Sequence, residues 1–187
     1  MLEGISTFSK VIIGVISSVA IAGAVTAGVT LAAEKDINTI KKAEYEPSTN
    51  DVMKILEEVK GTVYSIPFQL AVLGLRRGEI YALTLDDLDD NNVLSINKDM
   101  VLDKHNKQVV KNCPKTSASN RRILIPESLA NEIRTAGTIF IGNLDTLNHY
   151  LTKVQRRLGI PHFKLHMLRH FAAAYLHKNG FTDAQIL

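Results

Sequence analysis

Leu73-Gly74-Leu75-Arg76-Arg77-Gly78-Glu79-Ile80, followed by Leu83-Thr84-Leu85-Asp86-Asp87-Leu88, is the stretch on which the fold turns. An apolar segment over residues 67–73 runs into Gly74, which predicts a helix closed by that glycine. A second short helical segment follows over residues 78–83. Two adjacent arginines therefore stand between two helices.

Downstream, short apolar runs over residues 93–96, 108–110 and 123–125 are separated by polar turns, the pattern of a small antiparallel sheet of three strands. Helices resume over residues 128–134. Leu144, Leu147, Tyr150, Leu151, Val154 and Leu158 then repeat at helical spacing up to Gly159, with Pro161 beyond. A last helix is expected over residues 165–178, with Gly180 past its end. Helices, a small sheet and helices again make the class α+β, mainly helical.

Upstream, Pro47 introduces a helix in which Ser48 and Asp51 fit a capping pattern, and Val52, Ile55, Leu56 and Val59 share a face. Residues 34–46 are charged and aperiodic and read as a linker. Two regions result: an apolar N-terminal helix with its linker over 1–46, and a folded domain over 47–187. The apolar part, residues 11–33, is a run of 23 residues without a charge, built largely from Val, Ile, Ala, Gly, Ser and Thr. As a helix it would reach roughly 34 Å, enough to cross a bilayer. A membrane span, a secretory signal and a soluble helical remnant all stand as readings, the signal disfavoured because the run exceeds the usual h-region of about 7 to 15 residues.

The 187 residues suffice for one domain of ordinary size plus an appendage, and a hydrophobic share of 45% with 22% charged residues excludes a disordered chain. A net charge of +3 is too small to establish nucleic-acid binding, so its distribution matters more. Seven Lys or Arg lie between Lys98 and Arg122 against Asp99 and Asp103, just after an acidic knot of Asp86, Asp87, Asp89 and Asp90. Such a run reads either as a DNA-facing surface or as a solvated face. Cys113 is the only cysteine, so no intrachain disulfide can form and the redox compartment stays undetermined.

Three boxes carry a resemblance. The Gly74–Glu79 turn with its following Leu-rich cadence resembles the first arginine box of the tyrosine recombinases, the phage integrase family. Pro114-Lys115-Thr116, with Ser119-Asn120-Arg121-Arg122-Ile123-Leu124-Ile125-Pro126, resembles that family's β-hairpin lysine and the strand after it. Leu165-His166-Met167-Leu168-Arg169-His170-Phe171-Ala172 resembles its His-x-x-Arg box. Each is short, but their order and their separations of 39 and 51 residues make the combination specific.

The resemblance covers residues 47–187 and implies double-stranded DNA as partner, with other recombinase protomers alongside, DNA integration and site-specific recombination as function, and Arg76, Lys115, His166 and Arg169 as catalytic residues. A cytoplasmic, nucleoid-associated protein is implied, with a membrane-anchored one as the alternative through residues 11–33. The chemistry is consistent with the residue types. Guanidinium groups neutralise the charge on a phosphodiester's nonbridging oxygens through bidentate bonds. His166 and Arg169 are three apart and share a helical face. A lysine can protonate the leaving oxygen, the role the resemblance gives Lys115. Under the same reading Glu79 orients an arginine and Asp87 ends the helix.

No cofactor or metal is implied. His166 and His170 have the i, i+4 spacing of a zinc site, but Met167 stands where a zinc protease would carry its general base, and His105, His149, His162 and His177 offer no third-ligand spacing. The family's nucleophilic tyrosine follows a further helix, whose start residues 181–187 resemble, so the expectation is a catalytic domain that stops short of its nucleophile. Tyr175, six residues after Arg169, points about 240° away around the helix. Tyr150 lies on the preceding helix, where its spacing makes it a core residue, and Tyr45, Tyr64 and Tyr81 do not match the family position. The family's N-terminal DNA-clamping domain also has no counterpart in residues 1–46. The chain alone is therefore expected not to cleave DNA. The alternatives are a noncatalytic DNA-binding module, a partner or inhibitor of an intact recombinase, or a membrane-anchored recombinase-like protein.

Overall fold

The computed structural model of the chain describes residues 45–111 and 120–180. The apolar run over 11–33, the lysine Lys115 and the segment 181–187 lie outside the described residues. Among the described residues, no helix is long and apolar enough to cross a membrane.

Six α-helices and four short strands follow in the order α1 (Thr49–Val59), α2 (Ser65–Val72), α3 (Arg77–Ala82), a 3-10 turn (Leu85–Asp87), β1 (Val93–Ile96), β2 (Asp99–Leu102), β3 (Gln108–Lys111), β4 (Arg121–Leu124), α4 (Glu127–Ala136), α5 (Thr146–Leu158) and α6 (His166–Lys178). The α+β, mainly helical class read from the sequence is the one found. Helix α1 starts where expected, because the Ser48 hydroxyl accepts the Asp51 N–H while the Asp51 carboxylate accepts the Ser48 N–H at 2.9 Å. The Tyr45 hydroxyl donates to the same carboxylate at 2.8 Å. Burial alone would push the Asp51 carboxyl up, but these bonds outweigh it and hold it below the usual carboxylate range.

The core forms between helices. Val52, Ile55 and Val59 of α1, Phe68 and Leu70 of α2, Leu129 and Ile133 of α4, Leu147, Leu151 and Val154 of α5 and Leu168 of α6 are all fully buried or nearly so. Helix α2 is central: it packs against α1, α3, α4 and α6. Burying side chains of this size stabilises by about 1.5–3 kcal/mol each. Two polar ties fix the later helices. The buried Tyr81 hydroxyl of α3 accepts the Leu147 N–H at 3.2 Å, and Asn148 Oδ1 of α5 accepts the Leu165 N–H at 3.0 Å, at the entrance to α6.

The single three-stranded sheet expected from the sequence is replaced by two two-stranded antiparallel ribbons, β1 with β4 and β2 with β3. Strand β2, residues Asp99–Leu102, is the unexpected one. Asp99 belongs to the charged run by composition, but Met100-Val101-Leu102 is apolar enough to pair. Residues 99–102 pair with 108–111 across a tight turn in which Asp103 Oδ1 accepts the His105 and Lys107 N–H groups, so β3 pairs with its sequence neighbour, while β1 pairs with β4.

The basic run is also resolved in part. Lys98 pairs with Asp87 at 2.7 Å, Arg121 with Glu79 at 2.9 Å and Arg122 with Asp89 at 2.9 Å, so these three cations of the run are tied to the chain's own carboxylates. Asp87 does not end α3. That helix stops at Ala82, and Asp87 instead closes a capping box with Thr84, accepting the Thr84 N–H at 2.7 Å and starting the 3-10 turn.

Candidate functional site

The site is built around Glu79. It lies in the first turn of α3, where a capping carboxylate can reach back to the residue before the helix, and it accepts the Arg76 N–H at 2.7 Å. Its other oxygen accepts Arg76 Nη1 at 2.9 Å. Glu79 thus orients Arg76 through both backbone and side chain, while half of the Arg76 side chain remains exposed to solvent.

A second arginine reaches the same carboxylate from β4. Arg121 Nη1 donates to Glu79 Oε1 at 3.0 Å and Nη2 to Oε2 at 2.9 Å, a bidentate fork. Burial by itself would raise the Glu79 carboxyl, but the bonds from Arg121 and Arg76 outweigh that and hold it below the usual range. Arg121 is the residue that sequence reasoning passed over. Its signal was the Arg121-Arg122 doublet opening a strand, where alternation must send one of two adjacent side chains inward.

Arg169 comes from α6. Its Nη1 donates to the Gly74 carbonyl oxygen, and Gly74 adopts a φ of 91°, a conformation open to glycine and unfavourable for other residues. The Arg169 guanidinium is pushed below its ordinary value first by burial, then by the charges of Arg76 and Arg121, with Glu79 opposing. Arginine stays protonated throughout the physiological range, so Arg169 keeps its charge beside Arg76 and Arg121. Two guanidiniums thus bond one carboxylate, and the third, that of Arg169, lies near enough to feel the charges of all three groups.

His166 stands one turn before Arg169 on α6, exposed, its ring edge-on to that of His170 at 5.7 Å. It opens on a groove lined by Arg77, Asn148, Lys164 and Leu165. A second groove is lined by Arg76, Arg77, Gly78, Leu144 and residues 99–102, so Arg77 borders both. Gly78 lets these elements close up: a Cβ there would sit 2.0 Å from Asp99 Oδ1 and 2.6 Å from the Met100 carbonyl oxygen. Of the four residues singled out from the sequence, Arg76 and Arg169 meet in one charge cluster, His166 lies on the adjoining face of α6, and Lys115 is outside the described residues.

The five tyrosines are engaged elsewhere. Tyr45 stacks on Phe163, Tyr64 and Tyr150 stack on each other at 3.5 Å between ring centres, Tyr81 accepts the Leu147 N–H, and Tyr175 lies against Phe171. Tyr150, expected in the core from its spacing, is only half-buried.

Comparison with known proteins gives a consistent picture. Residues 46–186 match the model of the phage integrase family. A "tyrosine recombinase XerC-like" protein of Caldanaerobacter subterraneus subsp. tengcongensis is 28% identical over 169 residues, covering 71% of this chain and 43% of its own length. The integrase of transposon Tn1549, solved in complex with a circular intermediate DNA, superposes with a TM-score of 0.65 at 17% identity over 80% of this chain and 58% of the integrase chain. XerA recombinase superposes with a TM-score of 0.60 at 14% identity, over 82% of this chain and 57% of its own. The chain spans about half the length of these relatives.

Proposed function

The chain belongs to the phage integrase family of tyrosine recombinases, and from that premise we propose that it binds double-stranded DNA and serves in DNA integration and site-specific recombination, with Arg76 and Arg169 holding the phosphate at which a strand is broken and rejoined. The observation that carries the reading is the local surplus of positive charge: Arg76 and Arg121 both bond the one carboxylate of Glu79, and the Arg169 guanidinium, bonded to the Gly74 carbonyl, lies within electrostatic reach of all three. A phosphodiester placed there would receive charge-assisted hydrogen bonds on its nonbridging oxygens, strongest as negative charge builds up in the transition state. His166 would complete that seat from the adjoining turn of α6, and Lys115 would protonate the departing oxygen. The arginines then supply the charge stabilisation that metal ions provide in other phosphoryl-transfer enzymes. Such an encounter with DNA belongs to the cytoplasm, with other recombinase protomers bound to the same site.

The covalent step needs an in-line nucleophile. Tyr45, Tyr64, Tyr81, Tyr150 and Tyr175 are held in stacking, capping and core contacts, and we assign none of them that role. These 187 residues alone would therefore bind DNA without becoming linked to it. Binding of a fluorescent duplex over a range of salt concentrations tests the reading. Affinity should fall linearly on a logarithmic salt scale, and Arg76→Ala and Arg169→Ala should each weaken it and flatten the slope. Salt-independent binding, or no binding at low salt, would sink the proposal.

A further inference from the structure

Glu79 is almost fully buried, and its two oxygens are occupied in a symmetrical way. Oε1 accepts Arg76 Nη1 and Arg121 Nη1; Oε2 accepts the Arg76 backbone N–H and Arg121 Nη2. Each oxygen therefore takes one bond from each arginine. Turning the carboxylate plane would break bonds to both at once, so its orientation is set jointly by α3 and by β4, two elements 42 residues apart in sequence. The Arg76 side chain is long and half-exposed, and its guanidinium bonds Glu79. Arg121 is mostly buried, its side chain 18% exposed, so it is poorly placed to lie along a nucleic-acid backbone itself.

We propose that Arg121 is a positioning residue: by gripping both oxygens of Glu79 it fixes the carboxylate that aims Arg76 at the DNA phosphate. The inference rests on the DNA-binding reading above for its last step only, since the fixing of Arg76 occurs within the chain. The fork geometry is the essential property. A lysine keeps the charge but offers a single point contact, and cannot span both oxygens.

The test uses the full chain and the variants Arg121→Lys and Arg121→Met, each measured below its thermal unfolding midpoint. Two readouts are taken. The first is the NMR signals of the Arg76 guanidinium, resolved when the group is held and averaged when it rotates freely. The second is the affinity for a short duplex as a function of salt, in the wild-type and Arg76→Ala backgrounds. The expected result is that both variants average the Arg76 signals, lower DNA affinity about tenfold, corresponding to about 1.4 kcal/mol, and flatten the salt slope by about 0.9, with no further loss when Arg76 is already Ala. Arg121→Lys behaving like the wild type would mean that charge alone matters and would overturn the proposal. So would losses that add fully to those of Arg76→Ala. If the wild-type chain binds no DNA, the recombinase reading fails, and the Arg76 signals still decide whether Arg121 positions it.

Discussion

Gly78 shows how one missing atom shapes the site. With only hydrogen on its Cα, the first turn of α3 can lie against Asp99 and Met100 of β2, bringing Arg76 beside that ribbon. Gly78→Ala would drive a methyl into a backbone carbonyl, a contact that cannot be relieved by a rotamer change. We expect a loss of about 1–3 kcal/mol, as for overpacking in general, read as a lower midpoint in denaturant; an unchanged midpoint would mean that β2 yields freely. Glu79 is the second decisive residue. Its carboxyl is held below its unfolded value, so in acid the unfolded chain takes up the proton first. The stability it contributes is complete above the unfolded value of about 4.3 and is lost as pH falls through the lower folded value. Glu79→Gln should therefore cost about 1.5–3 kcal/mol near neutrality, the range for hydrogen bonds to charged groups, and its deficit should shrink as pH is lowered below about 4. Thermal midpoints across that pH range check both statements, and a deficit that stays constant into acid would contradict them.

Among the elements, α6 matters most, because it carries His166 and Arg169 and its entrance depends on a polar tie. Asn148 on α5 accepts the Leu165 N–H at the point where the chain turns into α6, and it also lines the groove onto which His166 opens. Asn148→Ala leaves that donor without its partner and should cost about 0.5–2 kcal/mol, the range for losing a helix cap. Asn148→Asp keeps an acceptor and should cost less; equal losses in the two variants would show that the bond does not matter. The helices themselves were legible because their signals are local: the Ser48 and Asp51 cap, and the glycines at 74, 159 and 180 with positive φ. The sheet was less so. The runs at 93–96, 108–110 and 123–125 look alike, and nothing in their composition says which of them pair. That was settled by the turn over residues 103–106, which folds β2 onto β3, and by the core contacts of Leu94, Ile96 and Ile125, which bring β1 and β4 together.

For the molecule as a whole, the expected behaviour is binding without chemistry. Offered a nicked suicide duplex, the chain alone should give no covalent protein–DNA band after denaturation, because electrostatic stabilisation of a transition state is idle without an attacking oxygen in line. A band that disappears when one of the five tyrosines is changed to Phe would identify a nucleophile among them. Its DNA binding should be salt-sensitive and weakly dependent on sequence, as expected when contacts are chiefly to phosphate; tight site-specific binding would contradict this. The sequence by itself determined the helical class, the three boxes in their order, and Arg76, Lys115, His166 and Arg169 as candidates. Helical periodicity, capping and glycine stops act over three or four residues and are written directly in the chain. Only the tertiary structure decided that Arg121 grips Glu79 from 42 residues away, that Arg169 reaches the Gly74 carbonyl from 95 residues away, and that Lys98 and Arg122 serve the chain's own carboxylates. A charged side chain can answer to any opposite charge within reach, and which one comes within reach is set by how the buried faces of α2, α5 and α6 pack, a choice that no short stretch of sequence contains.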